Sequence, residues 1–331
     1  MEPKKVLVLG ATGAMARYMI PYLAERGCEV DGIALDAAES KYPNVKYHQG
    51  NAKDPALRDE FLSRNYDAIV DYLTYGSAEI PFVLPRILDH TGQYVYLSSG
   101  RVYDNLEKPV RETSPRLIDT SKDPYLLNSD DYCIYKARGE NLLFAMPRKN
   151  WTIVRPATTY SYLRYQLVTL EAADTVGRAF AGKQVVVPEQ ARNKPATLSW
   201  GGDAGRMIGA LLFCGCALGE VYNINSAEHH TWGEIADYYK DICGLESVWV
   251  DQEDYIRILN PDPNFRAIRW QLEYDRLFDR IMDNSKVLAA TGMKQESLKK
   301  LYDGLKYEIS RCPKNFNWKA NTAMDEYLAS N

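Results

Sequence analysis

Short apolar runs alternate with stretches of helical periodicity over the first 160 residues. The runs of strand length lie at residues 6–9, 30–35, 45–51, 66–73, 93–97 and 151–156. The intervening segments at 15–25, 80–90 and 132–146 are expected to be helical, and a further helix is expected to start at Asp54-Pro55. Regular alternation of strand and helix predicts an α/β fold with a doubly wound parallel sheet.

This alternation fades after about residue 160. The pattern there predicts helices over 167–182, 202–218 and 232–243, and strands over 184–188 and 221–224. The tail from residue 251 is rich in aromatic residues and arginine and is expected to be mostly helical. A smaller, mixed α/β lobe that closes over one edge of the sheet is therefore expected.

Composition excludes some functions. The chain has 331 residues, of which 46% are hydrophobic, and a net charge of −4, so neither a basic face nor a nucleic-acid partner is expected. Neither a leader segment nor an apolar run of membrane-spanning length is expected. The scattered cysteines are expected to be thiols, which favours a cytoplasmic location. Cys214 and Cys216 lie in the apolar run 207–218, which indicates a buried helix and no metal site.

A glycine-containing turn follows the first strand directly. Gly10 and Gly13 allow a sharp turn and close approach of a ligand, and Ala16 allows close packing of helix on strand. The exposed N–H groups and the dipole of the next helix favour an anion there, usually a pyrophosphate. The turn predicts a Rossmann-type nucleotide-binding domain over residues 1–160 and a substrate-binding lobe over 161–331. Residues 195–224 are expected to pack back onto the first domain.

An acidic residue, Asp36, ends the second predicted strand. In Rossmann folds an acid at this distance from the glycine turn holds the ribose hydroxyls of the adenosine. No basic residue follows before Lys41, so a 2′-phosphate would be repelled and would find no cation. The sequence therefore predicts NAD, in preference to NADP, as the cofactor.

A tyrosine and a lysine, Tyr132 and Lys136, are four residues apart and share one face of a predicted helix. A free phenol has a pKa of about 10 and is a poor base near neutrality. A nearby ammonium group stabilises the phenolate, which can then take a proton from a substrate hydroxyl while a hydride leaves for the cofactor. Ser99, at the end of the fifth predicted strand, is placed to hydrogen-bond the same substrate oxygen.

These motifs resemble the extended short-chain dehydrogenase/reductase superfamily, and within it the NAD-dependent epimerase/dehydratase family. The resemblance rests on residues 10–16, 36, 50–52, 97–103, 132–136 and 155–156, and continues more weakly through 203, 221–224 and 283–286. It implies that Tyr132, Lys136 and Ser99 are catalytic. It also implies the following NAD-binding positions: Gly10, Thr12, Gly13, Ala14, Met15, Asp36, Asn51, Ala52, Tyr72, Leu73, Thr74, Ser98, Lys136 and Pro156.

The substrate pocket departs from the family pattern. The stretch Ser99-Gly100-Arg101 replaces the Thr-Asp-Glu of the 4,6-dehydratases, so dehydration is not expected. Ala196 stands where an arginine often grips a nucleotide-sugar diphosphate, and Arg266, Arg269 and Arg276 are alternative diphosphate ligands in the tail. The positions that the resemblance suggests for substrate binding are Tyr75, Arg101, Thr158, Arg192 and Arg269.

Two functional hypotheses follow. The first is an NAD-dependent sugar epimerase or oxidoreductase that acts on a hydroxyl of a nucleotide sugar or a related sugar, with Tyr132 as base. The second is a non-catalytic NAD sensor or an RNA-associated member of the same superfamily. Family members often pair through the Tyr-Lys helix, so a homodimer is expected, with Ile134, Leu142, Leu143 and Phe144 as apolar surface or as core.

Overall fold

A sheet of seven parallel strands organises the molecule. A computed structural model describes residues 2–260, 262 and 264–330. The strands in this part of the chain are β1 (Lys5–Leu9), β2 (Glu29–Ala34), β3 (Val45–Gln49), β4 (Tyr66–Asp71), β5 (Thr91–Leu97), β6 (Trp151–Pro156), β7 (Thr158–Tyr160), β8 (Val185–Pro188), β9 (Pro195–Ala196), β10 (Leu198–Trp200), β11 (Glu220–Ile224), β12 (His230–Thr231) and β13 (Ser247–Val250). The central sheet has the order β11-β6-β5-β4-β1-β2-β3. The predicted doubly wound parallel sheet is confirmed.

Helices cover both faces of the sheet and build the second lobe. They are α1 (Ala16–Ala24), α2 (Pro55–Leu62), α3 (Ile80–Asp89), α4 (Leu117–Thr120), α5 (Pro124–Leu127), α6 (Tyr132–Ala145), α7 (Val176–Phe180), α8 (Gly201–Ala210), α9 (Trp232–Cys243), α10 (Gln252–Leu259), α11 (Ala267–Gln271), α12 (Ser285–Thr291), α13 (Leu301–Ser310) and α14 (Thr322–Ser330). A π-helical segment, Leu272–Arg276, follows α11. The boundaries follow local chemistry: Asp54 caps α2 through the N–H groups of Ala56 and Leu57.

The second half of the chain both contributes to the central sheet and builds its own core. Strand β11 pairs with β6, with Val221 opposite Ile153. Helix α8 then packs against α1 on one face. A separate apolar core around Trp232, Tyr239 and Tyr255 holds the second lobe together.

The predicted helix over 167–182 is wrong for most of its length. Only Val176–Phe180 is helical, and residues 161–170 form two tight turns. The backbones of Ser161 and Arg164 exchange hydrogen bonds of 3.0 and 2.9 Å across the first turn. Leu163 and Val168 have φ angles of +61° and +54°, which a right-handed helix excludes. Apolar side chains that suggested a helix face are instead buried by the second lobe.

The predicted helix over 202–218 is also too long, because α8 ends at Ala210. Phe213 has a φ angle of +63°, and the chain then turns so that Cys214 and Cys216 are joined by a disulfide. The expectation that these two cysteines are thiols in a buried helix is therefore wrong. Within the described ranges, no group of three or more His, Cys, Asp or Glu side chains is placed to hold a metal ion.

Two of the residues considered for a dimer surface lie inside the chain. Ile134 and Leu143 on α6 are fully buried, whereas Phe144 keeps 38% of its surface exposed. A core role therefore accounts for the first two. Over the described residues, we find no helix with the length and apolar character that crossing a membrane requires.

Candidate functional site

The turn between β1 and α1 comes close to the neighbouring strand. Gly10 has a φ angle of +83°, and a Cβ atom there would lie 3.2 Å from the Cβ of Tyr72. The N–H groups of Gly10 and Ala11 both donate to the carbonyl oxygen of Ile33 at 3.0 Å, which ties the turn to β2. Only glycine combines this conformation with this close approach at low cost.

This turn presents free hydrogen-bond donors at the start of α1. In the part of the chain that the structure describes, the N–H groups of Thr12, Ala14 and Met15 have no protein acceptor. The Arg17 guanidinium lies beside them, with its Nη2 donating to the carbonyl oxygen of Thr12 at 3.3 Å. Free N–H groups, the positive end of the helix dipole and a nearby cation together form a site for an anion.

Helix α8 supports this turn through a contact that only glycine permits. A Cβ atom at Gly205 would lie 2.7 Å from the carbonyl oxygen of Met15 and 2.9 Å from the backbone nitrogen of Met19. Both are backbone atoms of α1 or its N-cap, so they cannot move aside independently. The separation of α1 and α8 is therefore set by this residue.

We predict that Gly205→Ala lowers the free energy of unfolding by about 1–3 kcal/mol, because the added methyl group overpacks the contact between α1 and α8. Urea denaturation of the full chain measures the change. The matched control is Gly215→Ala, where an added Cβ meets no atom within 4 Å. Equal stability losses in the two variants would contradict the packing argument.

Three predicted cofactor residues follow β2 and β3 at the same edge of the sheet. The side chain of Asp36 is exposed and forms no hydrogen bond or ion pair with any described residue. Asn51 turns its Oδ1 towards the backbone N–H of Lys53, at 3.0 Å. Ala52 is buried in the core beneath them. Asp36 thus remains available for a ligand at the carboxyl ends of the strands.

The Tyr-Lys helix begins at the catalytic tyrosine candidate itself. The Asp131 carboxylate caps α6 by accepting a hydrogen bond of 3.0 Å from the N–H of Cys133, which makes Tyr132 the first helical residue. Lys136 lies one turn further on, and its Nζ is 5.8 Å from the centroid of the Tyr132 ring. Tertiary structure therefore places the two side chains as the i, i+4 spacing predicts.

Lys136 is fully buried and held by backbone. Its Nζ donates to the carbonyl oxygens of Leu73 at 3.1 Å and of Leu97 at 2.5 Å, at the ends of β4 and β5. It forms no ion pair with any described residue. Burial lowers the pKa of Lys136 to about 8, and the negative charges of Asp71 and Glu140 oppose that change.

The Tyr132 phenol faces a serine and several cations. Burial raises the pKa of Tyr132, while the Ser99 hydroxyl and the charges of Arg101, Arg164 and Arg276 act in the opposite direction. The guanidinium of Arg101 lies 5.3 Å from the Tyr132 ring centroid. The pocket thus favours the phenolate electrostatically, although burial in the protein opposes it.

A cavity of about 350 Å³ opens at this edge of the sheet. Residues from the predicted catalytic, cofactor and substrate sets line it: Met15, Tyr72, Thr74, Ser99, Arg101, Tyr132, Pro156 and Thr158. The second lobe closes the other side with Arg164, Gln166, Glu171, Ala196, Thr197, Trp232, Gln271, Asp275, Arg276 and Arg280. Parallel sheets place ligands at this position.

Other predicted substrate residues lie away from the cavity lining. Tyr75 is 2% exposed and belongs to the core of the first domain. Arg192 pairs with Glu189 at 2.8 Å. Arg269 pairs with Glu253 at 2.6 Å and with Glu273 at 2.9 Å.

Predicted cofactor positions near the catalytic helix also differ in their surroundings. The Ser98 hydroxyl donates to the buried Glu140 carboxylate at 2.5 Å, which directs it into the protein. Leu73 contributes its carbonyl oxygen to Lys136. Both residues therefore act on the site through their neighbours.

Sequence reasoning missed most of the second lobe's contribution. Of its arginines at the cavity, only Arg276 was considered, as a diphosphate ligand. Arg164 lay next to a segment interpreted as a helix, and Arg280 stood in a tail without a motif. The frequent arginines after β6 and in the tail were the one sequence feature that these residues share. Their spacing along the chain could not show that their side chains line the same cavity.

The glycine turn, the acid after β2 and the tyrosine-lysine pair all belong to the domain built on the central sheet. Residues 6–80 match the NAD dependent epimerase/dehydratase family. The resemblance inferred from the sequence is thereby confirmed, and the match covers β1 to β4 with the start of α3. No protein with a curated description matches the sequence.

Solved structures of epimerases share the fold over nearly the whole chain. An epimerase from Methanothermobacter thermautotrophicus has 15% identity and a TM-score of 0.69, covering 93% of this chain and 92% of that one. UDP-glucose 4-epimerase from Thermus thermophilus, in complex with NAD, has 15% identity and a TM-score of 0.64 (92% and 98%). UDP-glucuronic acid 4-epimerase from Bacillus cereus, with UDP-glucuronic acid and NAD, has 16% identity and a TM-score of 0.66 (92% and 98%).

Proposed function

We propose that this protein is an NAD-dependent sugar epimerase or oxidoreductase that acts on a hydroxyl of a nucleotide sugar or a related sugar. One observation carries the proposal: Ser99 and Tyr132 line the same cavity as Met15 and Tyr72, which flank the glycine turn. The buried Lys136 lies beneath the tyrosine. A cofactor site and an acid–base pair thus meet in one pocket.

The residues present fit NAD. The free N–H groups of Thr12, Ala14 and Met15 suit a pyrophosphate, and the absence of a Cβ at Gly10 leaves room for close approach. The exposed Asp36 carboxylate suits the ribose hydroxyls and would repel a 2′-phosphate. The similar structures that were solved with NAD support the same assignment.

The chain's own residues supply the proton chemistry. Ser99 holds the substrate oxygen by a hydrogen bond, and the Tyr132 phenolate takes the proton from that hydroxyl as the carbonyl forms. The charges of the nearby arginines favour the phenolate. The Lys136 Nζ, 5.8 Å from the ring centroid of Tyr132, adds positive charge beneath the ring. NAD, when bound, would supply the acceptor for the hydride on the carbon that carries this hydroxyl. Return of the hydride to the opposite face would complete an epimerisation, whereas release of the oxidised sugar would complete an oxidation.

Two features narrow the reaction class. The loop after β5 carries Gly100 and Arg101 where dehydration of a hexose would need two acids, so redox chemistry without water loss is favoured. The named activities of the similar structures, on UDP-glucose and UDP-glucuronic acid, support a sugar as substrate.

The experiment is a turnover assay on NAD-saturated protein with UDP-glucose, UDP-galactose, UDP-glucuronate and the corresponding free sugars and sugar acids. Absorbance of reduced nicotinamide and NMR spectra of the sugars are recorded together. A new sugar isomer without net cofactor reduction indicates an epimerase, and stoichiometric reduction indicates an oxidoreductase. Bound NAD with no change in cofactor or sugar across the panel would contradict the proposal.

A further inference from the structure

The cavity is strongly basic in an acidic protein. Four arginines line it, Arg101, Arg164, Arg276 and Arg280, against two carboxylates, Glu171 and Asp275. The whole chain has a net charge of −4. An excess of arginine in a pocket that also holds the reacting groups calls for a specific physical reason, because like charges in a confined space repel one another.

Arg280 is accounted for by the fold. Its Nε donates to the Asp275 carboxylate at 2.8 Å, and its Nη2 donates to the carbonyl oxygen of Tyr103 at 2.9 Å. These bonds join the second lobe to the loop after β5. Arg280 therefore has a structural role, and most of its N–H groups are not available to a ligand.

Arg276 is only partly satisfied. Its Nε donates to the carbonyl oxygen of Val168 at 2.7 Å and its Nη1 to Asp275, but its Nη2 has no acceptor among the described residues. The side chain is 7% exposed. Burial lowers the pKa of Arg276 to about 9, and the positive charges of Arg101 and Arg280 add to that effect. An anion would satisfy both the free donor and the unbalanced charge.

Arg101 and Arg164 add further free donors. The Nη2 of Arg101 contacts the Asp131 carboxylate at 3.2 Å, while its Nε is buried without an acceptor in the part of the chain that the structure describes. The Arg164 guanidinium has no side-chain or backbone acceptor among those residues. The backbone at Leu163 is strained, with a φ angle of +61°, and strain of this kind is concentrated at functional sites.

The free donors lie close to the reacting atom. Arg101, Arg164 and Arg276 line the same cavity as Tyr132, and the Arg101 guanidinium lies 5.3 Å from the Tyr132 ring centroid. Arg192, the nearest arginine along the chain to Ala196, is engaged with Glu189 and does not line the cavity. The unbalanced positive charge thus lies in the same cavity as the Tyr132 phenol.

We propose that the substrate carries an anionic group, a carboxylate or a phosphate, on the same small sugar unit as the reacting hydroxyl, and that Arg164 and Arg276 bind it. This inference rests on the proposed function and narrows its substrate class. Both groups accept paired hydrogen bonds from guanidinium ions. The cavity volume of about 350 Å³ is at the small end of ligand pockets, which suits a compact substrate.

The test is calorimetric titration of the full chain, with and without saturating NAD and at constant ionic strength, with D-glucuronate, D-glucose 6-phosphate and D-glucose. UDP-glucuronate and UDP-glucose form a second matched pair. We expect D-glucuronate or D-glucose 6-phosphate to bind at least about tenfold more tightly than D-glucose, because one pair of charge-assisted hydrogen bonds to a guanidinium contributes that much affinity. Whichever of the two charged sugars has the lower dissociation constant identifies the anionic group. If that group is a carboxylate, UDP-glucuronate should bind more tightly than UDP-glucose.

Arg164→Gln should remove most of this preference, and Arg164→Lys should restore part of it. Arg257→Gln is the control, since that exposed arginine pairs with Asp254 on α10 and lies outside the cavity lining, and it should change nothing. The inference is overturned if neither charged sugar has a dissociation constant below about 10 mM, or if glucose binds as tightly as they do. It is also overturned if Arg164→Gln weakens the binding of UDP-glucose only. Failure to bind NAD with the anion preference intact would instead contradict the proposed function.

Discussion

Replacing Tyr132 with phenylalanine is expected to lower turnover by about 10²- to 10⁴-fold, the usual contribution of a positioned acid–base group. The phenol is the only hydroxyl removed, and the ring keeps its packing against Tyr135, at 5.4 Å between centroids. The dissociation constant of NAD should stay within about twofold. Steady-state kinetics and a cofactor titration on the same preparation measure both quantities.

Tyr135→Phe is the matched control for this experiment. Tyr135 lies on the same helix and is half-buried, but it is not among the residues that line the cavity. Its substitution should leave turnover nearly unchanged. Full activity in Tyr132→Phe, or equal losses in both variants, would remove Tyr132 from the role of base and would favour a binding function.

Replacing Lys136 with methionine is expected to lower turnover strongly without weakening the fold. The phenolate loses its nearest cation on α6, so we expect a loss of about 10³-fold or more. The folded protein meanwhile loses a buried charge that has no ion-pair partner among the described residues. The free energy of unfolding at pH 7 should therefore stay equal to that of the wild type or rise.

The same variant should change the dependence of stability on pH. The pKa of Lys136 is about 8 in the folded protein and about 10.5 when unfolded. Between these values the unfolded chain binds more protons, so the contribution of Lys136 to stability rises with pH through this window. Chemical denaturation of both proteins from pH 7 to 10 isolates this contribution: the free energy of unfolding of the wild type should increase relative to that of Lys136→Met as the pH rises.

Lys149→Met is the control, because Lys149 is exposed, donates to the carbonyl oxygen of Phe144 at 2.7 Å and lies outside the cavity lining. It should retain both the activity and the pH dependence of the wild type. A large loss of stability at pH 7 in Lys136→Met, but not in Lys149→Met, would contradict this account. It would show that the buried ammonium stabilises the folded protein.

The central sheet could be predicted from sequence because its strands are local signals. Val6 to Leu9 form a fully buried run, and the turn at Gly10 follows at once. Tyr132 and Lys136 lie on one helix, so their spacing along the chain fixes their relation in space. Asp54 and Asp131 mark helix starts by the same kind of local chemistry.

The second lobe could not be predicted in the same way. Arg164 and Arg276 are more than a hundred positions apart, and they meet only because the turns at Leu163 and Val168 and the π-helical segment direct them to one cavity. Apolar residues between positions 167 and 182 suggested a helix, but tertiary packing overrides that periodicity. The disulfide of Cys214 and Cys216 likewise depends on where α8 ends.

Calorimetric titration of NAD into protein freed of bound nucleotide tests the central claim most directly. We predict saturable binding of one NAD per chain, with NADP at least about tenfold weaker because its 2′-phosphate would meet the exposed Asp36 carboxylate. Absence of dinucleotide binding, or tighter binding of NADP than of NAD, would contradict it.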